Sequence, residues 1–135
     1  MKIPKSNQKK VIRSWDDIML VTNRLINQIE KSKRMFNSIY GIPRGGLVVA
    51  VLLSHRLNIP VVDSKGINPA TLIVDDICDG GETLQEVEYL FKTKYNSEMT
   101  SAVLYQRRST MYEADFVGEV LAHDYIWIVF PWELR

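Results

Sequence analysis

The sequence predicts an α/β fold, a three-layer sandwich around a mostly parallel sheet of four to five strands. Three observations carry this expectation. Short β-prone runs alternate with amphipathic helical stretches, the order that buries a parallel sheet between helices. Thr71-Leu72-Ile73-Val74 is an unbroken apolar, β-branched run of the kind found in central parallel strands. The chain has 135 residues, 46% hydrophobic and 24% charged, which suits one globular domain with a core that needs no staples.

The elements follow in order. Residues 1–13 carry Lys2, Lys5, Lys9, Lys10 and Arg13 and read as a flexible, solvated basic tail, with an anion-binding arm as the alternative. Ser14 is a cap for the first helix, and Asp16 and Asp17 suit the positive end of its dipole. Trp15, Ile18, Met19, Val21, Thr22, Leu25, Ile26 and Ile29 recur at 3–4 spacing on one face. Ser38–Ile42 is the first strand, and Pro43-Arg44-Gly45-Gly46 is a turn. Leu47–Leu57 is a helix apolar almost all round, which permits a homo-oligomeric face without requiring one. Val61-Val62 starts a second short strand, and Thr71–Val74 is the third. A loop at Asp75–Gly81 leads into a helix with Leu84, Val87, Leu90 and Phe91 on one face. Ser101–Tyr105 and Tyr125–Phe130 are the remaining strands.

Composition excludes several classes. Lys plus Arg is 17 and Asp plus Glu is 16, so the net charge of +1 gives no broad field for nucleic acid. The longest wholly apolar run, Leu47–Leu53, is too short to span a bilayer, and no stretch of signal-peptide character opens the chain. A single cysteine, Cys78, makes an intrachain disulfide impossible and suggests a reducing, cytoplasmic setting. No His and Cys spacing suggests zinc.

Ligands on parallel sheets sit at the carboxyl ends of the strands. The loop after the third strand reads Val74-Asp75-Asp76-Ile77-Cys78-Asp79-Gly80-Gly81-Glu82-Thr83-Leu84. Gly80 and Gly81 allow a tight turn whose N–H groups meet the positive end of a helix, a cradle for a phosphate monoester. The Thr83 hydroxyl is a further donor. Asp75 and Asp76 repel a phosphate and suit hydroxyl donors, as on a ribose, or a divalent metal. Phosphate donors beside paired carboxylates indicate a sugar phosphate. Asp79, at the turn, is placed to transfer a proton.

This segment resembles the phosphoribosyl-diphosphate (PRPP) motif of the type I phosphoribosyltransferases: an apolar run, two acids, two residues, Asp, Thr-Gly, any residue, then Thr or Ser. The departure is Gly80, where that family usually has Thr. The resemblance implies that Asp75 and Asp76 hold the ribose hydroxyls and, with PRPP, Mg²⁺. It implies that Asp79, Gly80, Gly81, Glu82 and Thr83 wrap the 5′-phosphate. Asp79 would also exchange a proton near N7 of a purine.

Ile42-Pro43-Arg44-Gly45-Gly46-Leu47 is a second strand–turn–helix junction, with backbone donors and a fixed cation suited to a diphosphate. By resemblance it is the pyrophosphate loop, with Pro43 and Gly45 in the binding backbone and Arg44 as a catalytic charge partner. Its Arg-Gly-Gly resembles that of xanthine–guanine phosphoribosyltransferases, as does Trp127-Ile128-Val129-Phe130-Pro131-Trp132-Glu133 at the other end of the chain. The resemblance implies that Trp127 stacks on a purine, that Ile128 offers backbone contacts, and that Arg107 or Arg108 stands where purine enzymes place a Lys against the exocyclic oxygen. Read alone, the two arginines are a solvated loop. Val129 and Phe130 stand where close members of the family carry polar residues.

The expected protein is therefore a purine phosphoribosyltransferase with a small hood built from the chain termini. It would use PRPP as co-substrate, Mg²⁺ as cofactor, and guanine, xanthine or hypoxanthine as acceptor. One feature departs from the family, which inserts a long flexible loop between the second and third strands. Here Ser64–Ala70 is about seven residues, a turn and not a lid. A non-catalytic PRPP or nucleotide sensor is the alternative, and a pyrimidine or another nitrogenous acceptor is a third reading.

Overall fold

The structure, a computed structural model, describes residues 3–134. Its elements in chain order are β1 (Lys9–Ile12), α1 (Trp15–Ser32), β2 (Ser38–Gly41), α2 (Gly45–Leu57), β3 (Thr71–Cys78), α3 (Glu82–Tyr95), β4 (Thr100–Arg107), β5 (Phe116–Leu121) and β6 (Ile126–Val129). Four strands form one parallel sheet in the order β2-β3-β4-β5, and Val61 extends it by one bridge to Ile39. Thr71–Val74 lies in the middle of that sheet and is fully buried, as its unbroken apolar run requires.

Alternation along the strands feeds two cores. Leu72, Val74, Ala102 and Leu104 pack with Ile18, Leu25, Val49 and Leu53 of α1 and α2. Ile73 and Val103 point the other way and pack with Leu84 and Phe91 of α3. The three-layer α/β sandwich is thus observed. The helix start at Ser14 is a complete capping box. The Ser14 Oγ accepts from the Asp17 N–H at 3.1 Å, and the Asp17 carboxylate accepts from the Ser14 N–H at 2.8 Å. The Asp17 carboxyl is held below its ordinary value chiefly by that backbone hydrogen bond.

Several boundaries differ from the sequence reading. β3 continues through Asp75 to Cys78, so the loop contracts to Asp79–Gly81 and the paired acids sit on the strand itself. α2 begins at Gly45, two residues before Leu47. Val61-Val62 contributes a bridge and no strand of its own. Phe116–Leu121, unassigned from sequence, is the fourth strand of the sheet. The basic segment is no solvated tail over its second half. β1 pairs in parallel with β6 from Lys9↔Ile126 to Ile12↔Val129, away from the main sheet.

That two-stranded ribbon is the hood formed by the chain ends. Gln8 donates its amide to the Asp124 carbonyl at 2.7 Å, and the Arg13 N–H donates to the Val129 carbonyl at 3.0 Å. Arg13 also pairs with Glu119, at 3.4 Å, and Arg24 with the same carboxylate at 3.3 Å. Trp132 stacks on Phe130 at 4.7 Å and meets Trp15 of α1 at 5.8 Å, tying the last residues to the first helix.

The connector Ser64–Ala70 is pinned. The Asp63 carboxylate accepts from the Lys65 and Gly66 N–H groups, and the Tyr95 hydroxyl donates to the Ile67 carbonyl at 2.7 Å. Among the described residues no helix is long and apolar enough to cross a membrane. Because Leu104 is fully buried beneath α1 and α2, Leu104→Ala is expected to cost about 2–5 kcal/mol in urea unfolding. A loss under about 1 kcal/mol would mean that this core is not closely packed there.

Candidate active site

Parallel pairing aligns the carboxyl ends of β2, β3 and β4 on one edge, so the β2–α2 and β3–α3 junctions open side by side. A cavity of about 280 Å³ lies there. It brings together Pro43, Arg44 and Gly45, then Asp75, Asp76, Asp79, Gly81 and Thr83, and also Arg107, Trp127 and Ile128. The two loops touch directly. A Cβ built on Gly45 would lie 1.8 Å from an oxygen of Asp76, so only glycine lets the first loop approach this carboxylate. The Pro43–Arg44 peptide in this loop is cis.

Neither helix that begins at the cavity has a side-chain cap. Arg44 precedes α2 and Gly81 precedes α3, and both starts lack a side-chain capping hydrogen bond, whereas α1 is fully capped. At α2 the Gly46 and Leu47 N–H groups donate to the Ile42 and Arg44 carbonyls at 2.9 and 3.1 Å, so an anion there meets the positive helix end and the Arg44 guanidinium; the start of α3 has no side-chain cap. Gly81 has φ +96°, and a Cβ there would lie 2.8 Å from Thr110 and Tyr112. That position therefore admits glycine only.

Negative charge gathers at the strand end. Asp75 Oδ1 accepts from the Asp76 N–H at 2.8 Å, and Asp76 Oδ1 accepts from the Ile77 N–H at 2.7 Å. Burial pushes the Asp76 carboxyl above its ordinary value, against the pull of its hydrogen bonds, and the nearby Glu133 adds to the rise. Glu133 lines the same cavity and accepts from the Phe130 N–H at 2.9 Å. In the sequence Glu133 has no more than a place in the closing motif and Ile77 has no role, whereas Phe130, marked there as a departure from the family, lines the cavity as an apolar wall beside Ile77. An acid after Pro-Trp was the available signal for Glu133; for the two walls there was none beyond hydrophobicity.

Not every anticipated residue lines this cavity. Gly80 and Glu82 border a neighbouring one of about 600 Å³, together with Lys5, Asn7, Gln8 and Asp124, and with Asp79, Arg107 and Trp127 shared between the two. The Glu82 carboxylate fills the space beside Gly80, since a Cβ at position 80 would lie 2.4 Å from it. Glu82 thus occupies the room that a threonine side chain would need. Cys78 is buried, with its sulfur 3.2 Å from the Thr110 hydroxyl and 3.3 Å from the Tyr112 carbonyl, which fits a packing role.

The arginines separate clearly. Arg108 is exposed. Arg107 is 4% exposed and no part of a solvated loop, because it ends β4. Its Nε–H donates to Asp79 Oδ1 at 2.5 Å and its Nη1–H to the His123 carbonyl at 3.3 Å. Trp127 is half-buried. Ile128 is buried in the first core and also lines the cavity.

Residues 67–135 match the phosphoribosyl transferase domain family. The chain belongs to that family. A xanthine-guanine phosphoribosyltransferase from Idiomarina loihiensis is 30% identical, over 90% of this chain and 86% of that protein. The crystal structure of a purine phosphoribosyltransferase from Pyrococcus horikoshii is similar, with a TM-score of 0.74 at 31% identity over 93% of this chain and 95% of that one. A xanthine-guanine-hypoxanthine phosphoribosyltransferase from Helicobacter pylori shares the fold, with a TM-score of 0.79 at 23% identity over 93% of this chain and 95% of that one.

A carboxyl held above its ordinary value of 3.8 costs stability once it must ionise. Below the unfolded-state value both states are protonated and the cost vanishes; above the raised folded-state value it is complete. Asp76→Asn is therefore expected to raise Tm at pH 7, with the gain shrinking as pH falls through the carboxylate range. Calorimetry across pH 3–7 checks this, and an unchanged or lower Tm at pH 7 would contradict it.

Proposed function

We propose that the protein transfers the 5-phosphoribosyl group of PRPP to a purine base, guanine, xanthine or hypoxanthine, releasing pyrophosphate. One observation carries the reading. A single cavity joins a cationic, glycine-rich loop, paired carboxylates on a strand end, a phosphate-cradling turn and a tryptophan. These suit in turn a diphosphate, a ribose, a 5′-phosphate and an aromatic base. The names of the relatives support the same acceptor class.

In this reading Arg44 and the uncapped start of α2 receive the charge of the departing pyrophosphate. Asp75 and Asp76 hold the ribose hydroxyls, while Gly81, Thr83 and the start of α3 hold the 5′-phosphate. Trp127 and Ile77 offer apolar surface to the base, and Asp79 accepts or returns its proton. Among the described residues no three His, Cys, Asp or Glu form a metal cage. The paired carboxylates of Asp75 and Asp76 nevertheless fit Mg²⁺, which is held by one or two carboxylates together with substrate oxygens and water. Bound with the diphosphate, Mg²⁺ would supply neutralisation of its charge. A single buried cysteine, Cys78, accords with the reducing cytoplasm that this reading expects.

The connector Ser64–Ala70 contributes nothing to the cavity lining and is held down by Asp63 and Tyr95. Closure over PRPP falls to the hood or to bound substrate.

Incubation with Mg²⁺, PRPP and a panel of purine and pyrimidine bases, read by mass spectrometry, tests the proposal. A PRPP-dependent purine nucleotide is expected; no product with any base from folded protein would favour a PRPP or nucleotide sensor. Asp79→Asn is expected to lower kcat by about 10²–10⁴ while PRPP still binds, and unchanged turnover would remove Asp79 from the mechanism. In calorimetric titrations the Asp75→Asn, Asp76→Asn double variant should bind Mg-PRPP at least about tenfold more weakly, a loss of about 1.4 kcal/mol. Unaltered affinity would count against the ribose assignment.

A further inference from the structure

The sequence reading assigns Arg107 to the acceptor base. Its geometry gives it another task. Arg107 is almost fully buried, and its Nε–H and Nη1–H are committed to Asp79 Oδ1 at 2.5 Å and to the His123 carbonyl at 3.3 Å. One partner lies on the turn after β3, the other in the hood between β5 and β6. The guanidinium therefore bridges the catalytic turn and the hood from a fixed point at the end of β4.

Asp79 needs such a partner. Asp75, Asp76 and Glu133 line the same cavity, and Glu82 and Asp124 line the adjoining one. Facing five other carboxyl groups, with Arg44 and Lys5 as the remaining cations around the two cavities, an Asp79 carboxylate without Arg107 gains by turning toward water. Arg107 is the cation in direct contact with it, and burial makes that contact geometrically strict.

We propose that Arg107 is a positioning residue: it aims the Asp79 carboxylate into the cavity and couples that aim to the seating of the hood through the His123 carbonyl. This deepens the transferase reading and rests on it. Arg107 then acts on turnover through Asp79.

Steady-state kinetics of Arg107→Gln, Arg107→Lys, Asp79→Asn and the Asp79→Asn, Arg107→Gln double variant decide the matter. Misplacing a reacting group by about 1 Å costs about 10²-fold in rate. Arg107→Gln is expected to lower kcat by about that factor, leaving KM for PRPP and for the base nearly unchanged. Arg107→Lys should recover most of the loss, since an ammonium still offers Asp79 one charged donor. In the Asp79→Asn background Arg107→Gln should add little, because its target is already gone. An Arg107→Gln loss as large in that background as in the natural protein overturns the proposal, as does a raised KM for the base with kcat intact. Should Arg107→Gln fail to fold, Arg107→Lys carries the cycle: its smaller loss must vanish on Asp79→Asn, and a loss that persists overturns the proposal. Absence of turnover by the natural sequence with every base overturns the transferase reading and this proposal with it, whereas turnover with additive variants overturns this proposal alone.

Discussion

Covering β3 on both faces is the constraint from which the site follows. Helices pack against both sides of Thr71–Val74, so no charged side chain is admitted until the strand emerges beyond Val74. Polarity then arrives all at once, as Asp75, Asp76 and Asp79. Parallel pairing brings the starts of α2 and α3, both without a side-chain cap, to the same edge. Carboxylates and anion-binding donors are therefore adjacent without neutralising one another. Burial at that edge raises the Asp76 carboxyl, and Glu133 adds to the rise.

A sheet edge alone is an open surface, and the hood makes it a cavity. Its two strands come from opposite ends of the chain, and they are held by a ladder, by the Arg13–Glu119–Arg24 ion pairs and by Trp132 against Phe130 and Trp15. Those contacts put Trp127, Ile128 and Glu133 over the carboxylates. Since the connector before β3 is short and pinned, the hood is the element that bounds the site from above.

Charge is also balanced between elements far apart in sequence, since Arg107 meets Asp79 across 28 positions. Close in sequence, Glu82 fills the space beside Gly80. The second fact gives the unusual glycine a physical reading. The hydroxyl of a threonine is lost there, and the room it would take is occupied by a carboxylate from the next helix.

Much of this was legible in the chain itself. The spacing of Asp75, Asp76, Asp79, Gly81 and Thr83 is local, and a strand–turn–helix junction places those residues together whatever the rest of the fold does. The capping box at Ser14 and Asp17 and the apolar face of α1 are local too. Tertiary structure alone decided the rest. Lys9–Ile12 has no strong β pattern and becomes a strand only because β6 offers a partner more than a hundred residues away. Phe116–Leu121 contains Gly118 and Glu119 and joins the sheet because the edge of β4 is open to it. Arg107, read in isolation, is one of two adjacent charges in a loop; burial against Asp79 and the hood gives it a partner that no sequence window contains. Local hydrogen bonding and periodicity write themselves into short stretches of sequence, whereas pairings across the fold depend on which surfaces the packed elements leave available.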